Sequence, residues 1–254
     1  TGGFNGAMER NYIVNMDEAL FAGDRRSMNR LKSMITEPSI TIEQKYQPRR
    51  TIRSIHRFFA ASNHDHFCNI ELDDRRFVFL RVADTRQGDH DYFDRLYTAI
   101  NDPVQLGAFV HMLASKNIIN FNFRAKPNTG ELLEQKLQSL SGFSRYWYEV
   151  LCTGYTDCAQ PSGGFEIWED SRFVSTGSLS ECYKQHQSKS KQYQTVQNTA
   201  IRGGLKKWCP AAVSAREIDS GRQRRGYQLP NLNDARAAFQ VAIGGKIDWG
   251  DDAE

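Results

Sequence analysis

No hydrophobic run in this 254-residue sequence approaches the roughly 18 residues that a membrane-spanning helix requires. Cysteine is sparse: the chain has five, an odd number, and no C-x-x-C pair. This usage argues against a disulfide framework and favours a reducing compartment. Net charge adds little, because 33 basic and 30 acidic side chains leave only +3, which identifies no partner by itself.

Basic residues are nevertheless concentrated in two segments, "KYQPRRTIR" at 45–53 and "GRQRRGY" at 221–227. Such segments either bind phosphate groups or form solvated loops, and composition alone leaves both interpretations open.

A possible metal site occurs in "HDHFC", where His64, His66 and Cys68 lie close together. Zinc in a structural site takes four ligands, and no second cluster in the sequence supplies the fourth. We therefore interpret this segment as a polar loop. A metal-dependent hydrolase built on these residues together with Asp17 and Glu18 is kept as an alternative.

The start of the chain predicts a strand that ends in two acids. Residues 11–16, "NYIVNM", are rich in strand formers and indicate a buried strand, with Asp17 and Glu18 at its carboxyl end. Asp24 then has the position of an N-cap for a helix that runs to about Ile35.

Alternating apolar and polar residues in "SITIE" and "TIRSI" predict a β-hairpin with a basic tip at 45–50. Residues 57–62 predict a second buried strand, which ends in Asn63, and 75–82 predict a third strand that begins with two arginines.

Helical patterns dominate the rest of the chain. Asp102 and Pro103 supply an N-cap and a first-turn proline for one helix, and Asn231 or Asn233 and Gly244 bound the last one. Composition shifts near 154–164, so we predict domains 1–153 and 154–254. In the second domain, two helices followed by two strands around a basic turn give the element order of a winged helix.

The acids at the strand ends suit nucleotide hydrolysis. Asp17 would hold a magnesium ion through water, Glu18 would deprotonate the attacking water, and Asn63 would reach the same water from a neighbouring strand. Arg75 or Arg76 would stabilise the transferring phosphoryl group. Each residue also has a structural explanation, since an asparagine caps turns and the arginines can pair with neighbouring aspartates.

The order of these parts resembles the ATPase domain of superfamily 3 helicases, within the AAA+ class, and specifically the phage and plasmid primase-helicases. "VNMDEALFAGD" resembles their Walker B segment, "LKSMITEPSITIEQKY" the approach to a DNA-contacting hairpin, "FFAASN" the sensor strand and "DDRRF" the arginine-finger segment. The resemblance covers roughly residues 1–150 and is less specific beyond them.

The resemblance implies an ATP-driven DNA-unwinding motor that replicates a mobile element in the cytoplasm of a bacterial host. Such motors need ATP and Mg²⁺ and work as rings, usually hexamers, around DNA. It implies Asp17 at the magnesium, Glu18 as the base, Asn63 as the sensor, and Arg76 or Arg75 as the finger offered to a neighbouring subunit.

The same resemblance places Lys45 on the DNA backbone, with Lys32 as a second candidate. The basic tip of the hairpin adds Tyr46, Arg49 and Arg50 to the predicted contact, because lysine and arginine bind phosphates without regard to sequence.

One part of the family pattern is missing. The phosphate-binding loop, G-x-x-x-x-G-K-[ST], does not occur in this chain. We therefore expect a partial AAA+ (P-loop NTPase-like) α/β core, lacking its N-terminal strand and P-loop, followed by a helical region and an α+β winged-helix-like domain. We expect no bound cofactor and no ATPase activity for this chain alone. A DNA-binding or ring-assembly remnant without hydrolysis is the alternative.

Overall fold

A computed structural model of the chain describes residues 5–17, 25–122, 125–156, 168–189 and 198–250. These residues combine helices with small β-sheets, so the predicted α/β class is confirmed at this level. They divide into two compact units, one within Thr1–Asp74 and Leu133–Glu254 and the other within Arg75–Leu132.

The beginning of the chain forms two small sheets around a helix. After a 3₁₀ helix (Gly6–Met8), the elements are β1 (Ile13–Asp17), α1 (Arg25–Thr36), β2 (Ser39–Ile42), β3 (Arg50–Arg53) and β4 (Arg57–Ala61). β1 pairs with β4 in parallel, and β2 pairs with β3 in antiparallel. The predicted hairpin and helix are confirmed, whereas the expected cap Asp24 lies outside the described residues.

Two expectations about strands are wrong. The sequence predicts that β1 and β4 are buried, yet Ile13 is 61% exposed and Phe59 is 59% exposed. Parallel sheets normally have both faces covered, so the described residues leave this pair unusually open. Residues 77–82 pair with none of the described strands, and Leu80 and Val82 are exposed, so the third predicted strand does not form here.

The unit within Arg75–Leu132 contains the helices α2 (His90–Asn101) and α3 (Pro103–Ala114). The Asp102 carboxylate accepts a hydrogen bond from the backbone N–H of Val104 at 2.9 Å, which confirms the predicted N-cap. Both helices expose many large apolar side chains: Phe93, Leu96, Tyr97, Ile100, Val104, Phe109, Val110 and Leu113. No helix among the described residues is long and apolar enough to cross a membrane.

The remaining elements combine helices with one antiparallel sheet. They are α4 (Gly130–Gln138), α5 (Phe143–Thr153), β5 (Arg172–Ser175), α6 (Thr176–Lys189), α7 (Asn198–Trp208), β6 (Val213–Asp219), β7 (Arg222–Leu229) and α8 (Leu232–Ile243). The strand order is β5-β7-β6, with both pairs antiparallel. The Asn231 side chain accepts from the backbone N–H of Asp234 at 2.8 Å, and Gly244 ends α8 at a φ of +82°, as predicted.

Tryptophan dominates the core that these elements share. Trp147 and Trp168 are 0% exposed, Trp208 is 1% exposed, and the Trp208 ring stacks on Phe239 with 4.6 Å between centroids. The Trp208 indole N–H donates to the Ser144 hydroxyl at 2.8 Å, which satisfies a buried polar group. This core joins α5 to elements beyond residue 168, so residues on both sides of the predicted division at 153/154 pack together.

The cysteines differ in chemical state. Cys68 and Cys209 are buried free thiols, and Cys152 is an exposed free thiol. Cys182 is disulfide-bonded. The cysteine pattern of the sequence, which has no C-x-x-C pair, did not predict this bond.

Candidate nucleotide and DNA sites

Asp17 and Asn63 lie at the same edge of the parallel pair β1–β4. The register runs from Ile13 opposite Arg57 to Asp17 opposite Ala61, so the two strands end together. Asn63 follows two residues after Ala61 and is exposed. Ligands of open α/β sheets bind outside the carboxyl ends of the strands, and this edge therefore has the position of a nucleotide site.

The donor types at this edge suit magnesium. Carboxylate and amide oxygens are hard donors of the kind that Mg²⁺ prefers, and Asp17 and Asn63 are residues of these two types. Glu18, the predicted base, lies outside the described residues. The chain contains no phosphate-binding loop motif, and the roles of Asp17, Glu18 and Asn63 at a nucleotide stay predictions.

Arg75 and Arg76, the predicted arginine-finger residues, begin the unit within Arg75–Leu132. Arg75 is exposed and Arg76 is half-buried. Their assignment as the finger stays a prediction.

The β2–β3 hairpin is anchored at its base to the residues before β1. The Asn5 side chain donates to the backbone carbonyl of Thr41 at 2.9 Å and accepts from the backbone N–H of Glu43 at 2.7 Å. The Glu9 carboxylate accepts from the Arg50 guanidinium at 2.5 Å. These bonds fix the base of the hairpin and leave its loop projecting.

An exposed aromatic ring occupies the tip of this hairpin. Tyr46 is 92% exposed, and its backbone has a φ of +64°. The left-handed region costs a residue with a Cβ about 1–2 kcal/mol, and such strain is concentrated at functional positions. The Lys45 ammonium lies 4.9 Å from the centroid of the Tyr46 ring. The tip therefore presents a cation and a stacking surface side by side.

The two lysines predicted to contact DNA have different surroundings. The Lys32 ammonium forms a 3.0 Å ion pair with Glu71, and its side chain is only 13% exposed. No described carboxylate pairs with Lys45. Lys45 is therefore better placed than Lys32 to neutralise a phosphate.

Arg49 and Arg50 each hold a carboxylate near the base of the loop. Arg49 lies 3.1 Å from Glu43, and Arg50 lies 2.5 Å from Glu9, while the two arginine side chains stay 70% and 50% exposed. Exposed ion pairs are weak, so a phosphate can compete for both arginines. The sequence identified these two arginines but not the carboxylates with which they form ion pairs.

The segment at 64–68 contains a buried thiol and a half-buried imidazole. Cys68 is fully buried, and burial, with the nearby Asp74 carboxylate adding to it, raises the pKa of the thiol to about 12. Burial also lowers the pKa of His66, whose Nε2 lies 3.4 Å from the Ser139 hydroxyl. Zinc binds the thiolate, and no group of three metal-binding side chains occurs in the described part of the chain.

The basic segment 221–227 is divided between two faces of the antiparallel sheet. Tyr227 and Leu229 face the core, so Arg225 lies on the same face, while Arg222 and Arg224 lie on the opposite face. The sequence pattern alone presented these arginines as one patch. The two-residue period of a strand is the signal that separates them.

By sequence, the first part of the chain matches a known protein family. Residues 1–76 match the model of a protein family described only as a family of unknown function, DUF5906. That segment contains all the residues predicted here for nucleotide hydrolysis and for the DNA-contacting hairpin. No curated protein matches the chain.

One solved structure has a similar fold, and a second form of the same region scores lower. The apo structure of the NrS-1 C-terminal region, residues 305–718, gives a TM-score of 0.62 at 15% identity, over 90% of this chain and 57% of that one. The A form apo structure of the same region gives 0.46 at 15% identity, over 90% and 56% of the two chains. The chain thus spans little more than half of the length of these structures, and the likeness concerns the fold.

Proposed function

We propose that this chain is the C-terminal part of an ATP-dependent replicative DNA helicase of superfamily 3, encoded by a phage or another mobile element. The observation that carries the proposal is the parallel pairing of β1 with β4, which brings Asp17 and Asn63 to one sheet edge in the order that the family resemblance requires. Parallel strands that end in polar residues are the usual support of a nucleotide site.

The proposed roles follow from position and chemistry. Asp17 holds magnesium through water, which neutralises phosphate charge when the ion is bound. Glu18 takes the proton from the attacking water, and Asn63 orients that water through its amide. Arg76 or Arg75 reaches the site of a neighbouring subunit in a ring, most simply a hexamer. The phosphates are bound by a loop that this chain does not contain.

The order of the elements from α5 onwards supports a winged-helix-like domain that follows a partial AAA+ core along the chain. The element order α5, β5, α6, α7, β6, β7 and the antiparallel strand arrangement β5-β7-β6 are compatible with the proposed winged-helix-like domain. The cytoplasm of a bacterial host, where the replicating DNA lies, is the corresponding location.

The alternative is a DNA-binding or ring-assembly module that does not hydrolyse ATP. The exposed tip formed by Lys45 and Tyr46 favours it, because that contact needs no nucleotide. The same residues contact DNA in both proposals, but only in the helicase does Glu18 act as a general base.

The decisive experiment joins this chain to the segment that precedes Thr1 in its gene and measures DNA-stimulated ATP hydrolysis. We expect turnover in the joined protein and a loss of about 100-fold or more in Glu18→Gln, because general base catalysis contributes about that much. Glu37→Gln, an exposed glutamate after α1, is the matched control and should hydrolyse ATP normally. A joined protein that binds DNA without hydrolysing ATP would instead establish the alternative.

A further inference from the structure

A cavity of about 380 Å³ lies where the loop of the β2–β3 hairpin meets the residues before β1. Ligand pockets in proteins have volumes of about 300–1,000 Å³, so this cavity has room for one small ligand. Most of its lining is polar and includes Gly6, Glu9, Arg10, Gln44, Gln47 and Arg50. Of these residues, only Arg50 has a role in the function proposed above.

The half-buried Glu9 holds two walls of the cavity in place. Its carboxylate accepts a hydrogen bond from the side-chain amide of Gln44 at 3.2 Å and another from the Arg50 guanidinium at 2.5 Å. Both partners are therefore positioned before a ligand arrives, which lowers the conformational entropy that binding has to offset.

Gly6 permits this arrangement of the wall. A Cβ at this position would clash with the Cγ of Gln44, so a larger residue would displace the Gln44 side chain. Glycine allows a close approach of this kind because it has no side chain. The cavity thus has a shape that depends on one glycine.

Two exposed side chains of the cavity are available to a ligand. Within the part of the chain that the structure describes, no hydrogen bond or ion pair engages the Arg10 guanidinium or the Gln47 side-chain amide. A guanidinium presents a planar fork of donors that matches a phosphate, and a carboxamide offers both donors and an acceptor.

The charge of the lining favours a phosphodiester. Arg10 and Arg50 are cationic and Glu9 is anionic, so one positive charge remains. A phosphodiester of a nucleic acid strand carries one negative charge, whereas a phosphate monoester carries about 1.5 to 2 at neutral pH. The cavity therefore matches a phosphate within a strand better than a free phosphate monoester.

The two glutamines suit the edge of a base. In nucleic-acid recognition, glutamine pairs with adenine through one donor and one acceptor, and unpaired bases expose such edges. The backbone N–H of Gln47 donates to the carbonyl of Gln44 at 3.3 Å, which closes a turn whose middle residues are Lys45 and Tyr46. The glutamines of the cavity and the exposed tip of the hairpin therefore belong to one turn.

We propose that this cavity binds one nucleotide of single-stranded DNA, with its base hydrogen-bonded by Gln44 and Gln47 and its phosphodiester bound by Arg10 and Arg50. The inference rests on the contact between the hairpin and DNA in the proposed function, and adds a base to a contact that otherwise involves phosphates and stacking. It does not depend on ATP hydrolysis.

The test compares the binding of two labelled single strands of about 16 nucleotides by fluorescence anisotropy. One strand is oligodeoxyadenylate, and the other is abasic at every position, so the two have the same phosphates and differ in their bases. Gln47→Ala should weaken binding of the deoxyadenylate strand about tenfold and leave binding of the abasic strand unchanged. Gln87→Ala, an exposed glutamine outside the cavity, is the matched control and should bind both strands normally.

Arg10→Ala tests the phosphate half of the site. It should weaken binding of both strands by the same factor and reduce the salt slope of each by about 0.7, because one cation that neutralises a phosphate is lost. Arg53→Ala is the matched control, since Arg53 is exposed and lies three residues from Arg50, on the opposite face of β3. This control should leave the binding of both strands unchanged.

Two measurements separate the cavity from a folding defect and from the tip. Thermal unfolding should be the same in Arg10→Ala, Gln47→Ala and the unaltered chain, because both side chains are exposed. In the Tyr46→Ala background, Gln47→Ala should still weaken binding of the deoxyadenylate strand, because the proposed base contact does not use the tyrosine ring.

The inference is overturned if Gln47→Ala changes the binding of both strands equally or of neither, or if Arg53→Ala loses as much affinity as Arg10→Ala. Displacement of the strand by deoxyadenosine monophosphate at the same concentration of nucleotide units would overturn its assignment to a strand. If Lys45→Ala weakens binding while Gln47→Ala does not, the proposed DNA contact of the hairpin stands and the cavity is not part of it. If the unaltered chain binds neither strand, both proposals fail.

Discussion

Asp17 and Ala61 are cross-strand neighbours at the carboxyl ends of the parallel strands β1 and β4. Since Asn63 follows Ala61 closely, one edge of this pair carries a carboxylate on one strand and an amide just beyond the other. The same arrangement leaves the triphosphate without a binding loop, because the chain has no phosphate-binding motif. On the proposed function, the chain supplies the residues for the metal ion and the water of a nucleotide site and lacks the loop for the phosphates.

The chain by itself should not hydrolyse ATP, with or without DNA. In the proposed mechanism Asp17, Glu18 and Asn63 act on a metal ion and a water molecule, and these have no substrate to react with when the triphosphate is not held. Phosphate release, measured against the protein joined to its preceding segment, checks this expectation. DNA-stimulated turnover by the chain alone would contradict our account of the missing loop.

Replacement of Lys45, Arg49 and Arg50 together by alanine should weaken DNA binding and flatten its dependence on salt. Removing one cation that neutralises a phosphate of a single strand reduces the slope of log affinity against log salt by about 0.7. Of the three single substitutions, Lys45→Ala should weaken DNA binding most. Arg49 and Arg50 each have to give up an ion pair with a carboxylate before they bind a phosphate, so each contributes less to affinity. Titrations at several salt concentrations measure this.

The control for that triple variant is Arg95→Ala/Lys116→Ala, two exposed cations outside the hairpin. If the slope of log affinity against log salt is the same in both variants and in the unaltered chain, the hairpin does not contact the DNA.

Tyr46→Ala should reduce affinity for single-stranded DNA by about 1–3 kcal/mol, the usual contribution of one stacked base. Tyr46→Phe should bind normally, because the ring is retained. Neither change alters burial, since Tyr46 is 92% exposed, so thermal unfolding should be little affected. Equal binding by the alanine and phenylalanine variants would exclude stacking at this tip.

Stability should fall as the pH rises above about 8.5, the usual pKa of a thiol. Burial raises the pKa of Cys68 to about 12 and that of Cys209 to about 11. The folded chain therefore keeps protons that the unfolded chain loses. The contribution is complete below about pH 8.5 and is lost as the pH rises through the folded-state values, by up to about 1.4 kcal/mol per pH unit for each thiol.

Urea unfolding under argon at about pH 8.5 and pH 10 measures this loss. The variant Cys68→Ser/Cys209→Ser should show a flatter dependence, because serine does not titrate in this range. If the two proteins lose the same stability over this interval, the buried thiols are not its source.

Local signals predicted much of this fold. The Asp102–Pro103 start of α3, the Asn231 cap and Gly244 stop of α8, and the β2–β3 hairpin all form as expected. In each case the deciding interaction lies within a few residues: a side-chain cap, a positive φ, or an alternating pattern beside a turn. The end of β1 at Asp17 likewise agrees with the strand end expected from the sequence.

Interactions distant in sequence determined the rest. The apolar run suggested a strand over 75–82, but a strand exists only where a partner supplies hydrogen bonds, and among the described residues none pairs with this segment. The family resemblance marked Lys32 as a DNA contact, yet the carboxylate of Glu71, 39 residues away, pairs with its ammonium group.

The amino-acid sequence was sufficient for the types and ends of many elements and for the chemistry that their terminal residues carry, because these depend on neighbours along the chain. The surroundings of a side chain depend on pairing between strands and on packing between helices. Arg216 faces Arg225, and Glu217 faces Arg224, only because β6 and β7 pair in one register. That register puts Glu217 and Asp219 on the face of Arg222 and Arg224, and a one-residue shift of β6 would turn both acids to the face of Arg225.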